Sequence, residues 1–587
     1  MELQFEPRYG RKRRKTRLWP WGLLLVFLAG LALGTYGAFV KWLESLPSTE
    51  RVAPDFGGNP KPVFLATSEM LELPAAGSGD SLMLPLETIQ SQIDPFAYWE
   101  QESDSLIITT ADKVIRFKTD QLTAWMNEQP FELSFPVQRE EGRVYVPVQA
   151  LLDFYPIELR ESEETGAVFL LKDGDVIRWA SVAKLPDDAE EKTVAMRAQA
   201  SIKAPIAADL EPGRRLMIIE DHGDWFEVQL ENGWIGFVPK SAVRLEEPEV
   251  IRHSPRPKPF VPWKPTGGKI NLTWEQVTSR NPDTSAIGEM PGLNVISPTW
   301  FYLADDQGRI GNRADKSYVN WAHGRGYQVW ALFSNDFDPD RTKKALSNYE
   351  TRMYMIKQII GFAEAYDLDG INIDFENVYL EDKDKMTQFV REMTPLLHEQ
   401  GLVVSIDVTV RGGSPMWSLF LDREALGQTV DYMIVMTYDE HWASSPKAGS
   451  VASLPWTEKG IVDIMREDKV PASKLVLGIP YYTREWTETV VNGQVKVTSR
   501  AFGMTTAGNI IRERNLTPVF DESAGQDYVE YKADGATKKI WLENAKSIRA
   551  RVEIVRKYDL AGVASWRRGF ETPDIWTAIK ETLEKRP

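Results

Sequence analysis

Cysteine is absent from this chain of 587 residues, and histidine occurs only five times. The first absence excludes disulfide bonds, thiolate metal sites and cysteine nucleophiles. The histidines are scattered and form no HxxxH or HExxH pair, so we predict no metal site and no cofactor. Positive charge is also in deficit, with a net charge of −16. This balance argues against nucleic acid as a partner, because a phosphate backbone requires a basic surface.

Charged residues are missing from Leu18 to Val40, although seven Arg and Lys lie between positions 8 and 17. At about 1.5 Å per residue, this stretch forms a helix long enough to cross a bilayer core of about 30 Å. The basic flank is expected to stay in the cytoplasm. We predict a cytoplasmic tail (1–17), an uncleaved single-pass anchor (18–40) and a spacer (41–62), with the rest extracytoplasmic. A cleaved signal peptide is the alternative.

An internal duplication follows the spacer. Leu84-Pro85-Leu86 and the later Val114-Ile115-Arg116-Phe117 match Val146-Pro147-Val148 and Val176-Ile177-Arg178-Trp179, each at an offset of 62 residues. Each copy predicts a short strand, a short helix and alternating strands. Residues 63–185 are therefore predicted to form a small α+β domain. It resembles the copper amine oxidase N-terminal repeat, without implying copper chemistry.

Short alternating strands between Gly, Asp and Asn turns predict a small β-barrel over residues 191–245. This segment resembles a bacterial SH3 domain. Six prolines then mark residues 246–267 as an extended linker.

Apolar strands alternate with helical stretches over residues 268–587, which predicts βα units on a parallel sheet. Eight such units favour a TIM barrel over the alternative, an open doubly wound sheet. The interval 483–539 is too long for a crossover and predicts an inserted α+β subdomain. The expected strands lie near Ile270–Thr273, Leu293–Pro298, Gln328–Phe333, Gly370–Glu376, Leu402–Val408, Tyr432–Thr437, Leu475–Ile479 and Val563–Trp566.

The fourth strand carries acids on one face. Ile371, Ile373 and Phe375 alternate with Asn372, Asp374 and Glu376, so the polar side chains share a face. Buried neighbouring carboxyls are costly for stability, but they separate the pKa values of an acid catalyst and its neighbour. Other polar or aromatic side chains follow strands six, seven and eight: Tyr438 and Asp439, Tyr482, and Trp566. The active sites of TIM barrels lie at these carboxyl ends.

With these motifs, residues 268–587 resemble the family-18 glycoside hydrolases, the chitinase-like enzymes. The pattern DxxDxDxE is present here as Asp369, Asn372, Asp374 and Glu376, and it is similar to the exported cell-wall and spore-cortex branch. The resemblance implies catalytic roles for Glu376 as general acid, for Asp374 as the residue orienting the acetamido group of the substrate, and for Tyr438 as its hydrogen-bond donor.

The same resemblance implies substrate contacts for Asp439, Trp566, Tyr482 and Asn372. Asn372 stands where the family pattern has Asp. Because an amide cannot share a carboxyl proton, we expect a shifted pH optimum rather than loss of activity. Asp369 has the opposite strand parity and is interpreted as structural support. Trp300, Trp330, Trp442, Trp456 and Trp486 are weaker candidates for sugar contacts.

The leading prediction is a membrane-anchored extracytoplasmic hydrolase. It cleaves β-1,4 linkages next to N-acetylglucosamine in peptidoglycan or chitin-like glycans by a retaining, substrate-assisted mechanism. One alternative is a lectin-like protein that binds the glycan without cleaving it, and a third possibility is a scaffold for other envelope proteins.

Overall fold

The computed structural model describes residues 19–186, 192–253, 260–265 and 268–585. They form two compact units: one comprises the described residues within 1–88 and 145–255, and the other those within 89–144 and 256–587. The later strands of the first copy, Ser105–Thr109 and Val114–Lys118, are in the second unit, whereas Val168–Lys172 and Val176–Ile177 of the second copy are in the first unit.

The first unit begins with an apolar helix, Trp19–Ser45, in which Leu23–Ser45 is long and apolar enough to cross a membrane. Two small sheets follow it. Val63–Leu65 pairs in parallel with Val168–Lys172, which also pairs with Ile157–Glu161. Met83–Pro85 pairs antiparallel with Arg143–Pro147. The helices Leu86–Gln92 and Val148–Leu152 follow these last two strands directly, as the duplication predicts.

A seven-stranded antiparallel sheet forms the rest of the first unit. Its core contains Met196, Leu216, Val228 and Val238. Its strands, in spatial order, are Ile206–Leu210, Val194–Arg197, Ile235–Pro239, Trp225–Gln229, Arg215–His222, Trp179–Val182 and Val243–Leu245. Strand Trp179–Val182 comes from the segment predicted as the preceding domain. A further pair, Val176–Ile177 with Glu249–Val250, lies partly in the predicted linker, of which residues 254–259 and 266–267 are outside the described residues.

The second unit is built on a closed barrel of eight parallel strands, which confirms the predicted fold class. Each strand pairs in parallel with the next along the chain, and the eighth pairs with the first, so the sheet is closed. The strands are β1 (Ile270–Glu275), β2 (Val295–Pro298), β3 (Gln328–Ser334), β4 (Gly370–Asp374), β5 (Val403–Thr409), β6 (Tyr432–Met436), β7 (Leu475–Pro480) and β8 (Gly562–Trp566).

Two apolar layers hold the barrel together. Leu272, Trp274, Trp330 and Ile434 fill its interior. Ile371, Ile373 and Phe375 point the other way, into the larger core beneath the helices. This separation follows from the alternation of side chains along a strand. The helices of the barrel are Lys316–Gly324, Pro339–Ala345, Tyr349–Tyr366, Lys383–Glu399, Arg423–Thr429, Leu454–Glu467, Ala545–Lys557 and Asp574–Glu584.

Polar caps fix where several of these helices begin. Asp315, Asn348 and Asp422 each accept a hydrogen bond from a backbone N–H in the first turn. The long helix Tyr349–Tyr366 ends at Asp367, whose φ of 59° lies in the left-handed region. The chain then turns directly into β4, which carries the acids.

The predicted insertion is an α+β subdomain between β7 and β8. Its sheet is antiparallel, and one helix, Met504–Glu513, packs beside it. The strands are Tyr482–Val491, Gln494–Gly503, Val519–Asp521, Gln526–Ala533 and Ala536–Trp541. A short antiparallel hairpin, Phe301–Leu303 with Ile310–Asn312, extends the edge of β3.

A second antiparallel sheet of this unit belongs to the duplicated segment. Its strands are Tyr98–Glu100, Ser105–Thr109, Val114–Lys118, Thr123–Met126 and Gln129–Glu132, and Gln138–Glu140 follows them. Ile107 and Val114 lie in the same apolar core as the barrel helices. The fully buried Arg352 binds both Glu392 (2.8 Å) and Glu100 (2.9 Å). This sheet is therefore fastened to the barrel by a buried charge network.

We predict that Arg352→Met destabilises the second unit by about 3–5 kcal/mol, because it leaves two carboxylates buried without their cation. The free energy of unfolding of the full chain, from denaturant titration, measures the loss. Arg549→Met is the matched control. Arg549 is partly exposed and pairs with exposed Glu581, so its loss is expected to cost less than about 1 kcal/mol. Equal effects of the two substitutions would contradict the prediction.

Candidate active site

All the predicted site residues except Asn372 lie at the carboxyl ends of barrel strands. Asp374 is the last residue of β4, and Glu376 follows it by two positions. Tyr438 and Asp439 follow β6, and Tyr482 lies just after β7. Trp566 is the last residue of β8. Because parallel strands of a barrel end at one rim, these side chains share one end of the molecule.

Glu376 is held by its backbone. The side chain of Asn335, just after β3, accepts a hydrogen bond from the Glu376 N–H (3.0 Å) and donates one to its carbonyl (2.7 Å). Burial raises the pKa of the Glu376 carboxyl well above its usual value, and the charges of Asp374 and Asp439 raise it further. Both effects favour the protonated form of Glu376, which an acid catalyst requires.

Asp374 is enclosed but incompletely bonded. Its Oδ1 is buried and accepts no hydrogen bond from the described residues. Burial raises the pKa of this carboxyl to about 7. Because each charge opposes the other, the pair loses its two protons in separate steps. The cluster can thus hold one proton donor and one anion side by side.

The residues after β6 and β7 form a second polar group. The Tyr482 hydroxyl donates to Asp439 Oδ1 at 2.6 Å, and Arg484 lies 3.6 Å from the same oxygen. The Tyr438 and Tyr482 rings meet edge to face, with centroids 6.2 Å apart. Burial raises the pKa of the Tyr438 phenol well above its usual value. Tyr438 therefore remains a neutral hydrogen-bond donor.

Trp566 lies half-buried at the rim, with its indole 5.9 Å from that of Trp274. Three of the weaker tryptophan candidates, Trp300, Trp330 and Trp486, are fully buried, so they fill cores and do not contact a sugar. Trp442 is 53% exposed and remains available for stacking. Trp456 is partly buried in the helix Leu454–Glu467.

Aromatic rings that the sequence analysis did not single out also lie near the rim. Phe337 and Trp417 are exposed, with their ring centroids 6.2 Å apart. They follow β3 and β5. Asn377, next to Glu376, donates to the Phe337 carbonyl at 2.9 Å, so these rings lie beside the acidic loop.

Asn372 is fully buried, which corrects the prediction that it contacts substrate. Its Oδ1 accepts hydrogen bonds from Trp274 Nε1 (2.9 Å) and Ser297 Oγ (3.2 Å). Its Nδ2 donates to Asp407 Oδ1 (2.8 Å) and Ser405 Oγ (3.2 Å). Every hydrogen-bonding position of the amide is used inside the barrel, so none remains for a ligand.

Asp369 accepts hydrogen bonds from the Val329 N–H and from His323, each at 2.8 Å, at the opposite end of β4. It is the structural support that its parity predicts.

The sequence analysis missed two residues of the site, Asn335 and Asp407. Asp407 is 2% exposed and lies in β5, within hydrogen-bond distance of Asn372. The signal was present, since Ser405 and Asp407 alternate with apolar residues as the acids of β4 do. Asn335 gave no such signal, because its role depends on a loop between strands.

Among the described residues, one group of possible metal ligands stands out, in the first unit. Oxygen and nitrogen atoms of Glu220, His222 and Glu227 lie within 4.8 Å of one another. The side chains are largely exposed, and His222 lies near Glu220 on its own strand and Glu227 on the neighbouring strand. We interpret them as a surface ion-pair cluster.

Family models match two parts of this chain. Residues 319–571 match glycosyl hydrolases family 18, and residues 66–170 match the copper amine oxidase N-terminal domain. The chain therefore carries a family-18 glycosyl hydrolase domain with a copper amine oxidase N-terminal domain before it, as its motifs predict. The predicted class of enzyme, a chitinase-like glycosidase, is confirmed at this level.

Several curated proteins that are similar to this chain are described as a glycosylase, a fragment-lytic enzyme or a chitobiase. An uncharacterized glycosylase of Bacillus subtilis is 28% identical over 301 residues, which are 49% of this chain and 84% of that protein. The cortical fragment-lytic enzyme of Bacillus subtilis is 26% identical over 247 residues, 41% of this chain and 56% of its own length. The di-N-acetylchitobiase of Rattus norvegicus is 26% identical over 314 residues, 47% of this chain and 82% of its own.

Solved structures of similar proteins include a chitinase from Chromobacterium violaceum and the spore cortex-lytic enzyme of Bacillus cereus. The first is 22% identical, with a TM-score of 0.48, over 54% of this chain and all of that one (100%). The second is 21% identical, with a TM-score of 0.47, over 54% of this chain and 74% of that one. The barrel assignment itself rests on the strand pairing.

We predict that Asn335→Ala lowers the free energy of unfolding by about 1–3 kcal/mol, because two backbone groups of Glu376 lose their partner in a partly buried loop. Denaturant titration of the full chain measures this loss. Asn320→Ala, on an exposed helix position, is the matched control and is expected to change stability by less than about 0.5 kcal/mol. If Asn335→Ala unfolds at the same denaturant concentration as the wild type, the two hydrogen bonds from Asn335 to the Glu376 backbone, here called the Asn335 clamp, do not stabilise the loop.

Proposed function

We propose that this chain is a membrane-anchored extracytoplasmic glycosidase that cleaves β-1,4 linkages next to N-acetylglucosamine, in peptidoglycan or a chitin-like glycan. The observation that carries the proposal is the acidic cluster at the barrel rim. There, Glu376 lies beside Asp374, burial raises the pKa of both carboxyls, and the Tyr438 phenol lies close enough to interact with both.

Glu376 is the general acid in this proposal. Its raised pKa keeps a proton available for the leaving glycosidic oxygen. The Asn335 clamp fixes the backbone that carries it. Once the bond has broken, the same carboxylate activates the incoming water by taking back a proton, so one group serves both steps.

The nucleophile is supplied by the substrate. In family-18 enzymes the acetamido carbonyl of the sugar attacks carbon one, and no second protein carboxylate is needed. Asp374, once ionised, stabilises the positive oxazolinium ion, and the Tyr438 hydroxyl hydrogen-bonds to the acetamido oxygen. Because carbon one is attacked twice, the product retains its anomeric configuration.

The rim supports substrate binding through flat rings and polar groups. In this proposal Trp566 forms the floor beneath the sugar that reacts. Asp439 is held by Tyr482 and can bind sugar hydroxyls with its remaining lone pairs. The exposed rings of Phe337, Trp417 and Trp442 offer apolar faces for neighbouring sugars.

Two observations favour a cell-wall glycan over free chitin. A relative is described as a cortical fragment-lytic enzyme, and the apolar helix Leu23–Ser45 can hold the chain at a membrane surface. An enzyme tethered in this way reaches the wall of its own cell. The di-N-acetylchitobiase relative favours the same chemical target, a bond next to N-acetylglucosamine.

We predict that Glu376→Gln lowers hydrolysis at least about a hundredfold, because the amide cannot donate the acid proton. The full-length protein in detergent is incubated with purified peptidoglycan and with N-acetylglucosamine oligomers, and mass spectrometry identifies the new reducing ends. Glu381→Gln, an exposed acid beyond the same loop, is the matched control and is expected to retain activity. If the wild-type protein binds the glycan but releases no reducing ends, the lectin-like alternative is correct.

We also predict that the full-length protein stays in the membrane fraction after washes with high salt and alkaline carbonate. The double substitution Leu28→Arg with Leu31→Arg is expected to release it, because charge at the middle of a span is costly. Leu152→Arg is the control. Leu152 is exposed and lies outside the apolar helix Trp19–Ser45, so this substitution is expected to leave the protein in the membrane. Release of the wild-type protein by salt alone would contradict an anchor.

A further inference from the structure

Asp407 of β5 lies beside Asp374 of β4. The register of the two strands pairs Asn372 with Ser405 and Ile373 with Ile406, so the next neighbours are Asp374 and Asp407. Neighbouring strands are about 4.8 Å apart. Ile373 and Ile406 point into the outer core, so both carboxyls point into the barrel.

The hydrogen bonds of Asn372 fix which atoms face Asp407. Trp274 Nε1 can only donate, so the Asn372 atom that it contacts is the carbonyl oxygen. The NH₂ group therefore points at Asp407 Oδ1, at 2.8 Å. Asn372 donates to Asp407 but cannot give it a proton or take one from it. One oxygen of Asp407 is thus an acceptor, and a proton on this carboxyl belongs on the other oxygen.

The groups around Asp407 oppose its ionisation. Burial raises its pKa, and the charges of Asp374 and Glu376 raise it further, whereas hydrogen bonds from Asn372 and Trp274 act in the opposite direction. Tyr438, which follows β6, also interacts with it. Two adjacent buried carboxyls resist ionising together. The buried Oδ1 of Asp374 has no hydrogen-bond donor among the described residues, and a proton on Asp407 supplies one.

We propose that Asp407 is a positioning residue of the active site, whose neutral carboxyl donates a hydrogen bond to the otherwise unpartnered Oδ1 of Asp374. The proton stays on Asp407 throughout, and no covalent bond changes. Its effect is to hold Asp374 as an oriented anion beside Glu376. The inference rests on the proposed function for its kinetic consequence, but the protonation of Asp407 is measurable without activity.

The kinetic test is the pH profile of kcat/KM for the full-length protein with an N-acetylglucosamine oligomer. Activity of the wild type rises with pH as Asp374 ionises, because the cluster needs this anion. Asp407→Val removes the donor, so the acid limb is expected to move up by about one pH unit or more. Asp407→Asn mimics the neutral carboxyl, since its carbonyl accepts from Asn372 and its NH₂ donates to Asp374. It is expected to restore the acid limb to within about 0.3 unit of the wild type.

Either of two results overturns the proposal. An unmoved acid limb in Asp407→Val means that Asp407 does not act on Asp374. If the acid limb of Asp407→Asn is displaced as far as that of Asp407→Val, a neutral hydrogen-bond donor at this position is not enough to hold Asp374 as an anion. A purely structural role lowers kcat or stability without moving the acid limb.

A second measurement separates this inference from the proposed function. If Asp407 is neutral when folded, the folded chain holds a proton that the unfolded chain releases near its usual pKa of about 3.9. This proton therefore contributes a fall in the midpoint of thermal unfolding, Tm, as pH rises from 5 to 8. Asp407→Asn removes this contribution and makes the fall shallower. Equal slopes overturn the proposal even if the protein hydrolyses glycans, and a shallower slope supports it even if the protein does not.

Discussion

The active site depends on a conflict between burial and charge at the end of β4 and β5. Asp374, Glu376 and Asp407 lie close together at this rim, and burial raises the pKa of all three carboxyls. They cannot all ionise, because each new charge opposes the next. The cluster therefore releases one proton before the others. A lone anion beside a protonated acid is the state that substrate-assisted hydrolysis uses.

The barrel holds β4, and with it the neighbouring carboxyls, in a fixed position. Ile371 and Ile373 anchor β4 in the outer core, while Asn372 ties β4 to β1, β2 and β5 through hydrogen bonds. Further out, Arg352 fastens the sheet of residues 98–132 to the barrel helices. The folded unit that carries the site thus includes part of the duplicated segment, and residues 268–587 alone leave Arg352 without Glu100.

Much of this could be predicted from the sequence because strand alternation is local. The eight strands, the insertion and the acidic face of β4 follow from residue order alone, and the structure agrees with them. Contacts between strands do not follow from it. Asn372 was predicted to touch substrate from the family resemblance, but it lies deeper in the barrel than Asp374 and is enclosed. Asp407 was missed because the register of β4 and β5 is set by three-dimensional packing, as is the burial of Trp300, Trp330 and Trp486.

Asn372 and Asp407 are best understood together. An aspartate at position 372 would add a fourth carboxyl to the same dry region, next to one that already holds a proton. The amide avoids this charge and still donates to Asp407 and accepts from Trp274. The departure from the family pattern at one strand is therefore matched by an acid on the neighbouring strand. The carboxyl that helps to control Asp374 lies beside it in β5, rather than below it in β4.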